Sequence, residues 1–199
     1  MSVVNYGVGN LRSVKMGLEK SGAKVLITCN PRDVSKSDAI VLPGVGAFAA
    51  AVKNLAPLSS AVKQSVDDGK LLFGICLGLQ LFFAKSSEGG SIDGLGFIPG
   101  DVVKLPENVK TPQMGWNTID IVKSHPLLED VKNHSYVYFV HSYVPKPLEK
   151  NVIVATTEYG VRFPSVIAKK NLFATQFHPE KSSKTGLTIL KNFVRIVKR

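Results

Sequence analysis

The stretch Leu71-Leu72-Phe73-Gly74-Ile75-Cys76-Leu77-Gly78-Leu79-Gln80 decides how the chain is read. An uncharged apolar run reads as a buried strand, passes through G-x-C-x-G, and continues as a helix. That is a nucleophile elbow with sulfur in place of oxygen. Its turn is so tight that the residues two before and two after the nucleophile must be small, which accounts for Gly74 and Gly78. Cys76 is thereby pushed out at the C-terminal edge of the sheet. There it meets a helix N-terminus, whose positive dipole end favours thiolate, the reactive form. Cys29 has no glycine frame and reads as a buried core cysteine.

Outward from the elbow, short apolar runs alternate with amphipathic ones. Residues 24–28 and Ala39–Leu42 read as strands, and residues 11–21 and 59–68 as helices. Gly22 and Gly69 stand where a left-handed residue closes a helix. The runs that follow them, residues 25–27 and Leu71–Ile75, resume as buried strands. Such alternation predicts a parallel sheet. From about Val102 the pattern changes to strands separated by turns, at residues 102–105, 116–122, 136–143, 152–157, 164–168 and 172–177. These predict an antiparallel portion. Residues 184–198 close the chain as a helix, with Leu187, Leu190, Phe193, Val194 and Val197 on one face. The fold class is α/β, a mostly parallel central sheet flanked by helices with an additional antiparallel portion.

The 199 residues suit a single domain spanning 1–199, and 44% hydrophobic with 20% charged residues is ordinary for a globular chain. The longest apolar stretch, residues 71–84, is broken by Gly74, Gly78 and Gln80 and falls short of the roughly 20 residues of a membrane span. No secretory signal is visible at the N-terminus, so the expected location is cytoplasmic. Two cysteines make neither a disulfide framework nor a zinc site, and no metal or cofactor is implied. The formal charge of +10 is spread over dispersed lysines without a nucleic-acid motif. It reads as a solvated basic surface or the complement of an acidic protein partner, not as a nucleic-acid site.

A cysteine nucleophile needs a base, and Thr175-Gln176-Phe177-His178-Pro179-Glu180-Lys181-Ser182 supplies one. Pro179 stops the strand before it. His178 and Glu180, two apart on an extended segment, can lie on one side, so the carboxylate accepts the imidazole N–H and sets its tautomer. This is a Cys-His-Glu triad in chain order. His125 and His134 look like loop residues and His141 like a structural strand histidine. For the oxyanion, the N–H of Leu77 is the default first donor. Pro43-Gly44-Val45-Gly46-Ala47, after the strand Ala39–Leu42, is a glycine loop at the same sheet edge whose amides, those of Val45 and Gly46, can supply a second.

With Tyr6-Gly7-Val8-Gly9-Asn10-Leu11, Pro112-Gln113-Met114-Gly115-Trp116-Asn117, the segment 138–143 and the segment 178–183, nearly the whole chain resembles one family. It is similar to the class I triad glutamine amidotransferases, which are flavodoxin-like in fold, and among them to the glutaminase subunits of imidazole glycerol phosphate synthase. The resemblance implies free glutamine as substrate, attacked by Cys76, with Gly44, Gln80, Glu88, Ser142 and Tyr143 holding it. Glu88 would pair with the substrate ammonium. It also implies a heterodimer with a TIM-barrel cyclase that receives the ammonia, with Asn10, Tyr138 and Lys181 at the interface and gate. Regulation through a peptide flip in the loop 43–46 is implied too. One departure is the first strand, residues 2–6, which is short by a residue or two and carries Asn5 where the family often has an acid. The rivals are a glutaminase of another pathway, which the segments at Met114 and Tyr138 argue against, and a catalytically silent scaffold, which an intact triad argues against.

Overall fold

The first part of the chain alternates strand and helix, as β1 (Ser2–Val4), α1 (Leu11–Lys20), β2 (Leu26–Thr28), α2 (Pro31–Lys36), β3 (Ala39–Leu42), α3 (Phe48–Asp67), β4 (Leu71–Ile75) and α4 (Leu77–Gln80). It continues through β5 (Phe83–Ser86), β6 (Ile92–Asp93), β7 (Ile98–Lys104), β8 (Gln113–Thr118) and β9 (Asp120–Ile121). The last part holds β10 (Tyr136–His141), β11 (Tyr143–Pro147), β12 (Ile153–Glu158), β13 (Arg162–Lys169), β14 (Leu172–Thr175) and α5 (Ser183–Val197). This is a computed structural model, and it describes all residues, 1–199.

The main sheet runs β2-β1-β3-β4-β14-β13-β12-β9. From β2 through β14 all pairings are parallel, and β13, β12 and β9 extend it antiparallel. Successive side chains of a strand point to opposite faces, and here both faces are covered. Val3, Val41 and Phe73 pack with Val14 and Leu18 of α1 and with Leu190 and Phe193 of α5. Val4, Ile40, Leu42 and Leu72 pack with Val34 of α2 and Phe48 and Leu55 of α3. A four-stranded sheet, β11-β7-β5-β6, and the pair β10-β8 stand beside the main sheet.

Gly22 and Gly69 do close α1 and α3, at φ +92° and +86°. Other boundaries moved for physical reasons. The helix expected over residues 59–68 begins at Phe48 and runs through Pro57. An internal proline costs about 3 kcal/mol, whereas burying each large apolar side chain contributes about 1.5–3 kcal/mol. Phe48, Leu55, Leu58 and Val62 all bury on the sheet, so packing wins. Residues 25–27 are not a buried strand, and Cys29 just beyond them is exposed, not a core cysteine. β2 is the sheet edge and Leu26 is 50% exposed. The single strand expected over 136–143 is two, broken at Ser142, because β10 pairs with β8 and β11 with β7. Likewise the strand expected over 116–122 divides into β8 and β9, which join different sheets. The short α2, capped by the Asn30 side chain with Pro31 in its first turn, is an addition.

One pairing positions the site. β4 and β14 are parallel neighbours with Ile75 opposite Thr175, and the Cys76 N–H donates to the Thr175 carbonyl at 2.8 Å. Two segments a hundred residues apart therefore leave the sheet side by side at its C-terminal edge, where open α/β sheets place their ligands.

Candidate active site

The elbow is held by lack of room. A Cβ on Gly74 would lie 2.7 Å from the Gly78 carbonyl oxygen, and one on Gly78 would overlap the carbonyl oxygen of Leu42 on the neighbouring strand. Cys76 itself sits at φ 53°, ψ −105°, a conformation that costs a non-glycine residue of order 1–3 kcal/mol and persists only when its surroundings enforce it. The helix after it, α4, is a single turn. One turn sums few peptide dipoles, so the helix terminus expected to favour thiolate contributes little, a correction to the sequence reading.

His178 follows β14, its backbone tied by its N–H to the Tyr138 carbonyl at 2.9 Å and by its carbonyl to the Ser182 hydroxyl at 2.6 Å. The segment after it is not extended as expected, because Pro179–Lys181 form a 3-10 turn, and across that turn His178 Nδ1 lies 2.8 Å from Glu180 Oε1, both side chains 2% exposed. A carboxylate can only accept, so Nδ1 carries the proton and Nε2 is left for chemistry. Nε2 has no partner within the protein. Burial opposes charging this imidazole, but the charge of Cys76 and the bond to Glu180 outweigh burial and raise its pKa to about 10. The arrangement thus favours the imidazolium form of His178.

The other histidines have structural partners. His125 Nδ1 accepts the Leu127 N–H at 3.1 Å, and His134 faces Asp120 at 2.9 Å. His141 Nδ1–H donates to the Tyr143 carbonyl at 3.0 Å, and burial pushes its pKa down to about 4, leaving it neutral.

Cys76 opens into a cavity of about 190 Å³ whose walls include Val45, Gly46, Leu77, Gln80, Glu88, Ser142 and Tyr143. Seven of the residues expected around a substrate thus share one space. Gly44 does not line it. Instead the Gly44 carbonyl accepts the Leu77 N–H at 3.4 Å, so the expected first oxyanion donor is already engaged. Its upstream neighbour, the Pro43 carbonyl, accepts the Tyr6 hydroxyl. Burial, then Cys76, holds that phenol far above its ordinary pKa, so it is a permanent donor. Glu88 Oε2 accepts the Phe48 N–H at 2.9 Å, at the first turn of α3. Gln80 uses its Nε2 twice, toward the Tyr143 carbonyl at 3.0 Å and Gln176 Oε1 at 3.4 Å.

Outside the cavity, Lys181 Nζ lies 5.7 Å from the centre of the Tyr138 ring. Tyr138 also meets Trp116 edge-on at 6.0 Å. Asn10 caps α1 by accepting the Ser13 N–H at 3.3 Å. Tyr6 and Gln176 had no role from sequence, yet both reach the site. The available signal was a fully buried polar residue inside an apolar run, Thr175-Gln176-Phe177, because a buried polar group is the informative exception.

A cysteine on an elbow, facing a buried imidazole backed by a carboxylate, defines the class of thiol-dependent acyl-transfer enzymes. The model of the family glutamine amidotransferase class-I matches residues 2–197, and the chain belongs to that family. It is 50% identical over 197 residues to the imidazole glycerol phosphate synthase subunit HisH of Methanocaldococcus jannaschii, covering 99% of this chain and 100% of the relative. The protein of that name from Archaeoglobus fulgidus is 45% identical, with both chains covered completely. Among solved structures, a glutamine amidotransferase superposes with TM-score 0.78 at 18% identity, covering 100% of this chain and 99% of the other. The glutaminase domain of Trypanosoma brucei CTPS with bound acivicin gives 0.68 at 16%, covering 100% and 93%. These structures share the fold.

Proposed function

We propose that the whole chain, as one domain, is the glutaminase subunit of an imidazole glycerol phosphate synthase. In this reading it hydrolyses glutamine to glutamate and ammonia and passes the ammonia to a cyclase subunit in histidine biosynthesis. The observation that carries the chemistry is an elbow Cys76 near enough to His178 to raise its pKa, with His178 and Glu180 buried and 2.8 Å apart, and with Cys76, not the imidazole, lining a cavity that also holds Glu88. The pathway rests on full-length relatives at 45–50% identity.

The thiolate of Cys76 attacks the side-chain carbonyl carbon of glutamine, and the carbonyl electron pair moves onto oxygen. As that pair returns, the C–N bond breaks and the His178 imidazolium gives its Nε2 proton to the departing nitrogen. Ammonia leaves, and a thioester remains. His178, now neutral, takes a proton from water as it attacks the thioester, and glutamate and the thiolate are released. Glu180 keeps the ring in the tautomer that serves both steps. Glu88 receives the substrate ammonium, with Gln80 Oε1, Ser142 and Tyr143 around the rest of the substrate.

In the conformation described here the Gly44 carbonyl occupies the Leu77 N–H. Rotation of the Gly44–Val45 peptide would withdraw that carbonyl and turn the Val45 N–H toward the oxyanion, with Gly46 absorbing the change. One oxyanion donor is worth about 10²–10³ in rate, so the resting enzyme is slow until its partner engages. Ammonia protonates in open water, so the partner must dock over the site. An aromatic and apolar face stands next to it, with Met114 66% and Trp116 52% exposed on β8. Such exposed patches mark interaction surfaces, and a TIM-barrel cyclase with acidic complementarity to the net charge of +10 is the occupant this reading requires. Asn10, Tyr138 and Lys181 flank the route. No helix is long and apolar enough to cross a membrane, in keeping with a cytoplasmic heterodimer.

The test is glutamate release by the purified chain, alone and with the cyclase and its acceptor nucleotide. Wild type should be slow alone and strongly stimulated in the complex, and Cys76→Ala inactive in both. Activity retained by Cys76→Ala removes the mechanism, and a complex without stimulation removes the pathway assignment.

A further inference from the structure

Gln176 is fully buried between Thr175 and Phe177 at the end of β14, and no step of glutamine hydrolysis described above uses it. Its amide Nε2 lies 3.7 Å from Cys76 Sγ, within reach of an N–H···S hydrogen bond, and its Oε1 receives Gln80 Nε2 at 3.4 Å. The direction of this relay is set by its far end. The Tyr143 carbonyl, 3.0 Å from Gln80 Nε2, can only accept. The nitrogen of Gln80 must therefore point that way, and its second N–H goes to Gln176. That in turn needs the Gln176 oxygen toward Gln80, which leaves the Gln176 NH₂ facing sulfur. Reversing either amide would set two acceptors or two donors against each other among buried side chains.

We propose that Gln176 is a positioning residue for the nucleophile, its side-chain amide donating to Cys76 Sγ and stabilising the thiolate, in a relay that ties the sulfur through Gln80 to the substrate wall at Tyr143. A donor to sulfur favours the anion, because hydrogen bonding to the charged form stabilises that form. With α4 only one turn long, side-chain donors must supply more of that stabilisation than a helix terminus does. The Cys76 Sγ also approaches the Val140 carbonyl at 3.6 Å, a contact suited to the thiol and repulsive to the anion. Gln176 offsets that repulsion.

Other ionisable groups around the sulfur come from separate elements. They are His178 after β14, backed by Glu180, Tyr6 after β1, Glu88 after β5 and His141 on β10. A change of the Gln176 side chain removes none of these groups.

The inference rests on Cys76 being the nucleophile, and the experiment separates the two claims. Cys29 is an exposed free thiol, so the parent is Cys29→Ser. Iodoacetamide alkylation of Cys76 is followed against pH in that parent and with Gln176→Met or Gln176→Leu added. Both keep most of the volume, and neither can donate to the sulfur or adds a charge beside it. The alkylation midpoint should rise by about one pH unit in each, a roughly tenfold slower reaction below it. Thermal melts establish that each variant is folded, and one folded variant suffices for the test. A merely structural role predicts an unmoved profile in a folded variant, and that result overturns the proposal. A parent Cys76 that alkylates no faster than an ordinary thiol overturns the nucleophile assignment and the proposal with it.

Discussion

Two glycine motifs face each other across the candidate site, and their glycines are there for opposite reasons. In Gly74-Ile75-Cys76-Leu77-Gly78 there is no space for a side chain, since the neighbouring backbone stands where a Cβ would go. In Pro43-Gly44-Val45-Gly46 the last glycine has nothing within 4 Å of the place a Cβ would take, but it sits at φ +121°. The first motif is glycine for want of room and the second for backbone freedom. Cys76 is thus fixed to the sheet, while the segment opposite it ends on a glycine with room around it. Gly44, though it stands in the second motif, follows the first regime, because a Cβ there would lie 2.8 Å from Leu77 Cβ and from the Tyr6 hydroxyl. It is a pinned pivot next to a free one.

The largest effect should come from the crowded side. Gly78→Ala drives a methyl into the Leu42 carbonyl, which is backbone of a central strand and cannot swing away. A loss above about 4 kcal/mol, the range of the severest single substitutions, is expected in a denaturant melt. A folded Gly78→Ala chain within about 1 kcal/mol of wild type breaks the comparison. Gly46→Ala meets open space and pays only for its left-handed backbone, about 1–2 kcal/mol. In the same melt it should therefore remain folded, and equal losses for the two variants would erase the distinction.

The smallest change is in a titration. The His178 midpoint, raised to about 10, depends on the elbow side through Cys76 and not on the loop. Imidazole NMR should show it unmoved by Gly46→Ala and lowered once Cys76 is alkylated, when burial is opposed by Glu180 alone. Because the folded value lies above the ordinary 6.5, the stability linked to His178 is complete below that value and is lost as pH rises through about 10. In the alkylated protein that loss should move to lower pH. An unchanged midpoint after alkylation would sever His178 from the sulfur.

Much of this was legible because the signals are local. The elbow glycines, the stop at Pro179 with Glu180 two residues past His178, the left-handed Gly22 and Gly69, and the apolar face of α5 all follow from short-range sterics and periodicity. The misses are non-local. Pro57 marks a helix end in any sequence scan, and only the face of α3 buried on the sheet overrides it. Residues 136–143 read as one strand, and only their two different partners show the break at Ser142. The edge position of β2 depends on which strands lie beside it.

By itself, then, the sequence determined the glycine frame around Cys76, the pairing of His178 with Glu180, the α/β class and the family, since each is encoded within a few consecutive residues or along the whole chain as a pattern. The tertiary structure alone decided that β14 lies against β4, and with it that Thr175 stands beside Ile75. It also decided that Gln176 reaches the sulfur and that the Gly44 carbonyl rests on the Leu77 N–H. These depend on strand order and backbone orientation between segments distant in the chain. Burial and hydrogen bonding fix them only once the whole sheet has formed.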